Sequence, residues 1–416
     1  MFELEVVLNA GLLIIIIAIS IVILEIMASM KLISREVARK LLHIIAGVCL
    51  SISIYLVESR EFLIIASILA AIAIYFAIQK NLLEQIEEKQ RKSWGIFYFP
   101  VTFFTVLTLS YFVNIDSIFL GLVILTFADP SAALSGIYFG NKEFRLTADK
   151  KTYLGSGIFT LTAASILAGY FIADLSFFYQ SNLYLFILLT GSIISLSVLL
   201  AVTEAISSKG FDNFSVPVLA VFMTHYLFHE MNGENLEIFL QGTLLAAFIS
   251  FISYELKFLK KDGAAGAFIL GSVIFGSGGW KWALPILTFF ILSSLLSKIR
   301  KRKNNQVDEK FEKGGNRNLG QLLANGVIPG VLMLIYTIYP AELIYYLYIV
   351  SIATVCADTW ATEIGTLRKT STISVLTFKP VEQGESGGIS IFGTLGGSPD
   401  FSVAIIFLFK FPVPVL

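Results

Sequence analysis

Long apolar runs separated by short polar ones dominate this chain. Windows of roughly 20 residues, enough to cross about 30 Å of hydrocarbon, recur near 6 to 27, 41 to 57, 62 to 78, 96 to 114, 117 to 139, 155 to 174 and 183 to 203. Others follow near 215 to 229, 237 to 256, 264 to 280, 282 to 297, 320 to 338, 341 to 357 and 400 to 416. Helices satisfy their own backbone groups in lipid, so this pattern predicts an all-α, polytopic membrane fold of about fourteen transmembrane helices. The first run contains Asn9 and Glu25 but has neither a basic start nor a small-residue cleavage site, and reads as a retained helix.

Composition sharpens this picture. With 56% hydrophobic and 14% charged residues and a mean hydropathy of +0.80, the surface of the fold must meet lipid, and the bilayer is its first partner. A formal net charge of zero gives no electrostatic reason for a nucleic-acid partner. The two cysteines, Cys49 and Cys356, fall in apolar runs and read as small core residues.

Charge distribution carries more. Loops after odd-numbered helices hold Arg35, Arg39 and Lys40, then Lys89, Arg91 and Lys92, Lys142 to Lys151, Lys209, Lys257 to Lys261, Lys298 to Lys313, and Arg368 to Lys379. Even-numbered loops carry Glu58, Glu61, Asp116, Asp174, Glu230, Glu234, Glu237 and Glu342 instead, with Arg60 and Lys281 as the few exceptions. The positive-inside rule then places the amino terminus outside and every motif below on the cytoplasmic face. The charged linker "KFLKKDG" divides the chain into modules of residues 1–258 and 259–416, with no internal repeat between them.

Three polar clusters interrupt the first module. "SREVARKLLHIIAG" places Arg39 and His43 on one helical face beside Lys40. "FADPSAALSGIYFGNK" puts Asp129 before Pro130 in the middle of an apolar run, and Lys150, Lys151, Gly155 and Ser156 follow where a new helix starts, a place suited to phosphate oxygens. "VTEAISSKGFDNFSVPV" adds Glu204, Lys209, Asp212 and Asn213. Ionisable residues at membrane depth are costly and point to function. Carboxylates with lysines, without cysteine or histidine clusters, suit Mg²⁺ and phosphate rather than zinc.

"RKLLHI", "ADPSAALSGIYFG" with "KKTYLGS", and "TEAISSKGFDNFSVPV" together resemble the polyprenol kinase family, which includes dolichol and phytol kinases, over most of residues 35 to 225. The resemblance implies transfer of a γ-phosphate, from CTP or ATP, to the hydroxyl of a prenyl alcohol. Asp129, Glu204 and Asp212 then serve as Mg²⁺ ligands or, for one of them, as base; Arg39, Lys40, Lys151 and Lys209 neutralise phosphate, with Gly155, Ser156 and Asn213 beside it. Leu154 stands where the family commonly has an acidic residue.

In the second module, glycines of "DGAAGAFILGSVIFGSGGWKWALP" predict two closely packed helices joined by a tight turn at Gly278 and Gly279. "GGNRNLGQLLANG" offers Arg317, Asn318, Gln321 and Asn325 at a membrane entry, while "CADTWATEIGTL" supplies Asp358 and Glu363 around Trp360. "KPVEQGESGGIS" adds Lys379, Gly387 and Gly388, the backbone freedom and charge of a phosphate site. These motifs resemble the transmembrane protein 19-like family, whose plant member is the phytyl-phosphate kinase of chloroplasts, over residues 263 to 397. The resemblance implies Asp358 and Glu363 on Mg²⁺, Arg317, Asn325, Lys379, Gly387 and Gly388 on phosphates, and a prenyl phosphate as acceptor. After Gly397 it stops, which implies an altered carboxyl end.

The combined expectation is salvage phosphorylation of a prenyl alcohol to monophosphate and then diphosphate. Two other readings stay open at this point: a phosphatidate cytidylyltransferase-like reaction on a lipid phosphate, and a transporter or flippase. The one-sided loop pattern and the lack of internal symmetry count against transport.

Overall fold

The computed structural model describes residues 4–80, 94–173, 182–229, 233–303, 316–367, 369–385 and 387–398. Lys89, Arg91, Lys92, Asp174, Glu230, Lys310, Lys313, Arg368 and the apolar window at 400 to 416 lie outside them. The described chain is overwhelmingly helical and forms two compact units, Met1–Glu237 and Ile238–Leu416. That division falls inside a helix, upstream of the charged linker.

Unit 1 contains α1 (Leu4–Ser29), α2 (Arg35–Leu56), α3 (Arg60–Gln79), α4 (Gly95–Leu109) and α5 (Ile115–Phe139). A short hairpin, β1 (Glu143–Arg145) and β2 (Lys150–Thr152), leads into α6 (Tyr153–Ala173), α7 (Leu183–Ile206) and α8 (Asp212–Phe228); α9 (Gly233–Glu255) runs into unit 2. Unit 2 continues with α10 (Lys261–Lys303), α11 (Leu319–Ile338) and α12 (Glu342–Gly365). Its small sheet comprises β3 (Thr372–Ser374), β4 (Pro380–Val381) and β5 (Gly388–Ile389), and α13 (Ile391–Gly396) follows.

Among the described residues ten helices are long and apolar enough to cross a bilayer, and α4, at 15 residues, is a shorter apolar helix. The expected count of about fourteen is approximate: the windows at 264 to 280 and 282 to 297 are the two arms of one kinked helical stretch, α10, and those at 96 to 114 and 215 to 229 correspond to α4 and α8, 15 and 17 residues long.

Burial separates the helices of unit 1 by role. In α5, 67% of the spanning window is buried, against 17% in α1, so α5 is the central post and α1 a lipid-facing wall. Small residues allow its neighbours to close in: a Cβ on Gly121 would lie 2.9 Å from the Pro217 carbonyl of α8, and one on Gly155 2.8 Å from the Ala132 carbonyl of α5. Lys209 and Gly210 both take positive φ, 56° and 84°, which reverses the chain sharply between α7 and α8.

In unit 2, α10 breaks at Gly279, where φ is 61° and ψ −158°. A straight helix of 43 residues would be about 64 Å long, roughly twice the hydrocarbon thickness. Instead the chain turns back. Lys298 on the second arm lies 5.3 Å from the ring of Phe258, which immediately precedes the first arm. Arg317 ties both ends together, with its backbone bonded to Phe258 and Lys260 and its guanidinium over Phe289 and Phe290. The tight turn expected from the glycines is thus a helical hairpin hinged on one residue.

Gly242 of α9 meets the backbone of Gly276, where an added Cβ would sit 2.5 Å from a nitrogen that cannot give way; Gly169 has nothing within 4 Å. Gly242→Leu is expected to cost about 1–3 kcal/mol through overpacking and to lower the melting temperature of the detergent-solubilised protein. Gly169→Leu, measured alongside, leaves it unchanged.

Candidate functional site

At one end of unit 1 the three sequence clusters meet. Asp129, Glu204 and Asp212 each offer an oxygen, and these oxygens lie within 4.8 Å of one another. Asp129 is 6% exposed and Glu204 4%, so each ionised group would cost several kcal/mol if left unanswered. Both are answered. Lys40 Nζ donates to Asp129 Oδ2 at 2.7 Å, and Lys151 donates to Glu204 through a short bond and to Asp212 at 3.4 Å.

Each element explains one of these positions. Ser34 caps α2 through the Val37 N–H, fixing the helix whose second turn carries Lys40 inward. His43, one turn further, donates from Nε2 to the Leu125 carbonyl across 3.2 Å and packs edge-on against Phe99. Pro130 cannot donate to the Thr126 carbonyl, so α5 has a weakened turn just where Asp129 needs room. The hairpin register pairs Lys151 with Phe144, and Phe144 stacks on Tyr153 with centroids 4.8 Å apart. The turn before Asp212 is held from outside: Lys209 N–H donates to Asp149 at 2.9 Å and the Lys209 carbonyl accepts from Trp94.

Electrostatics follow from that geometry. Burial alone would lower the Lys151 ammonium, but Glu204 and Asp212 beside it outweigh burial and hold it above the usual lysine range. A folded-state pKa raised in this way gives stabilisation that is complete below the unfolded value of about 10.4 and is lost only as pH rises beyond it. Lys151 is therefore a cation throughout the physiological range.

The oxygen-only donor set fits a hard dication. Ligand oxygens around Mg²⁺ at 2.0–2.1 Å stand about 3 to 4 Å apart, a small closure from the present spacing. Asp129, Glu204 and Asp212 are the residues that would hold it.

Other expected phosphate contacts are placed differently. Arg39 reaches out to Glu36 at 2.6 Å, half-exposed, and the Lys209 side chain is exposed. Asn213 is spent on packing, donating to the Gly95 carbonyl at 3.0 Å while its own carbonyl accepts from Thr102. The Gly155 N–H donates to Thr152 Oγ1. Ser156 lines an apolar groove of about 240 Å³ between α6, α7 and the hairpin, together with Phe144, Leu146, Ala201 and Ala205.

In unit 2, Asp358 and Glu363 do not converge. Five residues apart on α12, they point about 140° from each other around its axis. Asp358 is exposed; Glu363 accepts from Ser297 Oγ at 2.6 Å and from Arg300 Nε at 2.7 Å. Trp360, between them, donates its indole N–H to Ser293. Asn318 and Gln321 form a capping box at the start of α11, so their amides close a helix end. Asn325 is half-buried one turn further on, and Lys379 is exposed. Gly387, with φ 78°, and Gly388 shape the small sheet, where the Gly387 carbonyl accepts from Val375 and Gly388 N–H donates to Glu385. The sequence reading missed Arg300, which looked like one more basic loop residue; its place one position before the end of the run "SSLLSKIRK", three residues after Ser297, was the available signal.

The family described as Integral membrane protein DUF92 matches residues 244–409. The likeness thus begins earlier than the motif resemblance and continues past Gly397, where the resemblance ended. An uncharacterised membrane protein of Methanocaldococcus jannaschii is 34% identical over 156 residues, 37% of this chain and 63% of that protein. Protein PGR of Arabidopsis thaliana is 31% identical over 168 residues, 37% of this chain and 58% of its own length. Protein VTE6, chloroplastic, of the same plant is 28% identical over 145 residues, 33% of this chain and 43% of its own. The chain spans less than two thirds of the length of these relatives. No solved structure matches it.

Lys151→Met strips Glu204 and Asp212 of their cation and is expected to destabilise unit 1 by about 3–5 kcal/mol. Adding Glu204→Gln to that variant recovers part of the loss, and a double-mutant thermal-melt series measures it.

Proposed function

We propose that the protein is a membrane phosphotransferase acting on isoprenoid lipids, with an alcohol-phosphorylating site in unit 1 and a phosphate-phosphorylating site in unit 2. The observation that carries the first part is the meeting of Asp129, Glu204 and Asp212 with Lys40 and Lys151 at one end of the bundle. Three carboxylates against two lysines leave a net negative charge, which favours a metal-bound nucleotide over a free anion. The reading also draws on the resemblance of these motifs to polyprenol kinases.

In this reading the oxygen of the prenyl hydroxyl forms a bond to the γ-phosphorus of CTP or ATP, the bond to the β–γ bridging oxygen breaks, and the nucleoside diphosphate leaves. Asp212 is the least buried of the three carboxylates and is 3.4 Å from its lysine, so it is the one freest to take the hydroxyl proton. Lys40 and Lys151 stand where they answer the carboxylates before substrate arrives and phosphate charge afterwards. Bound Mg²⁺ supplies charge neutralisation on the phosphates. The groove lined by the hairpin, α6 and α7 is apolar and fits the first part of a prenyl chain.

For unit 2 the support is the match to the DUF92 family, the likeness to a chloroplastic plant protein and the motif resemblance to phytyl-phosphate kinase. A phosphate acceptor is already anionic and needs cations more than a base. A lipid monophosphate that stays in the same leaflet reaches a tethered second site at raised effective concentration. The active loops face the cytoplasm in this reading, as the basic loops require.

The test incubates purified protein with phytol, geranylgeraniol or farnesol and γ-labelled CTP or ATP, then separates lipid mono- and diphosphate. Label is expected on lipid; label appearing in pyrophosphate instead would indicate cytidylyl transfer. Asp129→Asn is expected to lower monophosphate formation about 100-fold or more. Asp358→Asn leaves monophosphate intact and reduces diphosphate; equal loss of both products would contradict the two-site assignment.

A further inference from the structure

The segment that follows α12 is held against the end of that helix. Gln383 Nε2 donates to the carbonyl of Gly365, the last residue of α12, at 2.8 Å. Further on, α13 packs backbone to backbone along the final turns of α12: a Cβ on Gly393 would sit 2.9 Å from the Ala361 carbonyl, and one on Gly397 2.8 Å from that of Ala357. Because α12 is long and apolar enough to span a bilayer, the sheet of β3, β4 and β5 between these anchors sits where that helix leaves the hydrocarbon.

For a sheet in water its faces are the wrong way round. Directly paired residues of neighbouring strands share a face, and the register pairs Ile373 with Pro380 on one side and Ile389 on the other. Val375, two residues along β3, points the same way. Ile373, Val375 and Ile389 are 40%, 47% and 41% exposed, and Pro380 is exposed with them. Thr372 and Ser374 alternate onto the opposite face, where Thr372 is buried and a Cβ on Gly388 would lie 2.8 Å from it. An antiparallel sheet with one wet face turns its polar residues to solvent; along β3 the alternation is reversed, as it is in strands whose outer face meets lipid.

The turn after β3 extends this surface. Phe378 N–H donates to the Ser374 carbonyl, and Ser374 N–H to that of Lys379, each at 2.9 Å. They close a tip that presents Leu376, 88% exposed, and Phe378, 77% exposed. Phe378 has a φ of 54°, a left-handed conformation that glycine or asparagine adopts at less cost. Turn geometry alone gives no reason for an aromatic ring there. Lys379, next in the chain, is exposed and long enough to reach headgroups from an interfacial tip.

We propose that this sheet face and its tip form a membrane-docking surface, lying in the headgroup and acyl boundary of the leaflet in which α12 ends, with bilayer lipid as its occupant. The surface is continuous with the lipid-facing side of the helices it adjoins, since Ile391 and Leu395 of α13 are 76% and 61% exposed beside α12. Burial there is shallow, about 5–10 Å, as for other interfacial elements. The inference goes beyond the proposed phosphotransfer and does not depend on it.

Nitrobenzoxadiazole fluorescence on the full chain in phosphatidylcholine and phosphatidylglycerol vesicles tests it. Leu376→Cys carries the label at the tip and Ile391→Cys carries it on α13; both side chains are exposed, so neither change disturbs the core. Glu143→Cys, in the charged hairpin of unit 1, is the water-exposed reference, and the unaltered chain, whose Cys49 and Cys356 are buried, gives the background. Blue-shifted emission is expected at 376 and 391, with strong quenching by nitroxides on lipid acyl chains and little by iodide present on both sides of the membrane. Glu143→Cys shows the reverse. Iodide quenching at 376 or 391 as strong as at 143 overturns the proposal. Shielding from both quenchers also overturns it, and assigns the face to another part of this chain or to a second copy.

Discussion

Unit 1 is organised around the expense of keeping carboxylates out of water. Asp129 and Glu204 sit in the most buried helices of the unit, and each survives there only because a lysine from a different element reaches it. Everything near them serves that arrangement. The hairpin places Lys151, the cap at Ser34 sets the register of Lys40, and the left-handed pair Lys209 and Gly210 turns Asp212 back toward the bundle. The resulting site is rigid in its cations and negative in its sum, which suits a substrate that arrives carrying its own metal.

Unit 2 solves a different problem. Its carboxylate is tied to an arginine on the same hairpin, and the leftover charge is positive, carried by Arg317 on an aromatic shelf. The two proposed chemistries draw on this contrast. An alcohol acceptor needs a carboxylate to take a proton, whereas a phosphate acceptor needs to be held against its own charge.

Much of this was legible in the sequence, for definite reasons. Hydropathy found nearly every helix, because lipid permits no other way to satisfy the backbone. Asp129, Glu204 and Asp212 stood out because charges at that depth are rare. What could not be read was pairing over long separations: Lys40 meets Asp129 across 89 residues and Arg300 meets Glu363 across 63, and nothing local encodes either. Asn213 and Gly155 read as ligand groups, and Asn318 and Gln321 as costly polar residues at a membrane entry, because polar residues and glycines there serve ligands, caps and close packing equally well. Only contacts such as the Gly155 N–H to Thr152 and the capping box at α11 separate the two uses. The helical hairpin at Gly279 was visible as a turn, but the return of its second arm to Phe258 depends on Arg317, which lies beyond both arms.

The central claim is that three carboxylates of unit 1 hold a divalent metal together with nucleotide. Electron paramagnetic resonance with Mn²⁺ and CTP measures it on the purified full chain without any need for turnover. The account predicts that the protein with Asp129→Asn, Glu204→Gln and Asp212→Asn combined binds one Mn²⁺ fewer than the unaltered chain while unit 2 stays folded. Identical Mn²⁺ binding by the two proteins would contradict it.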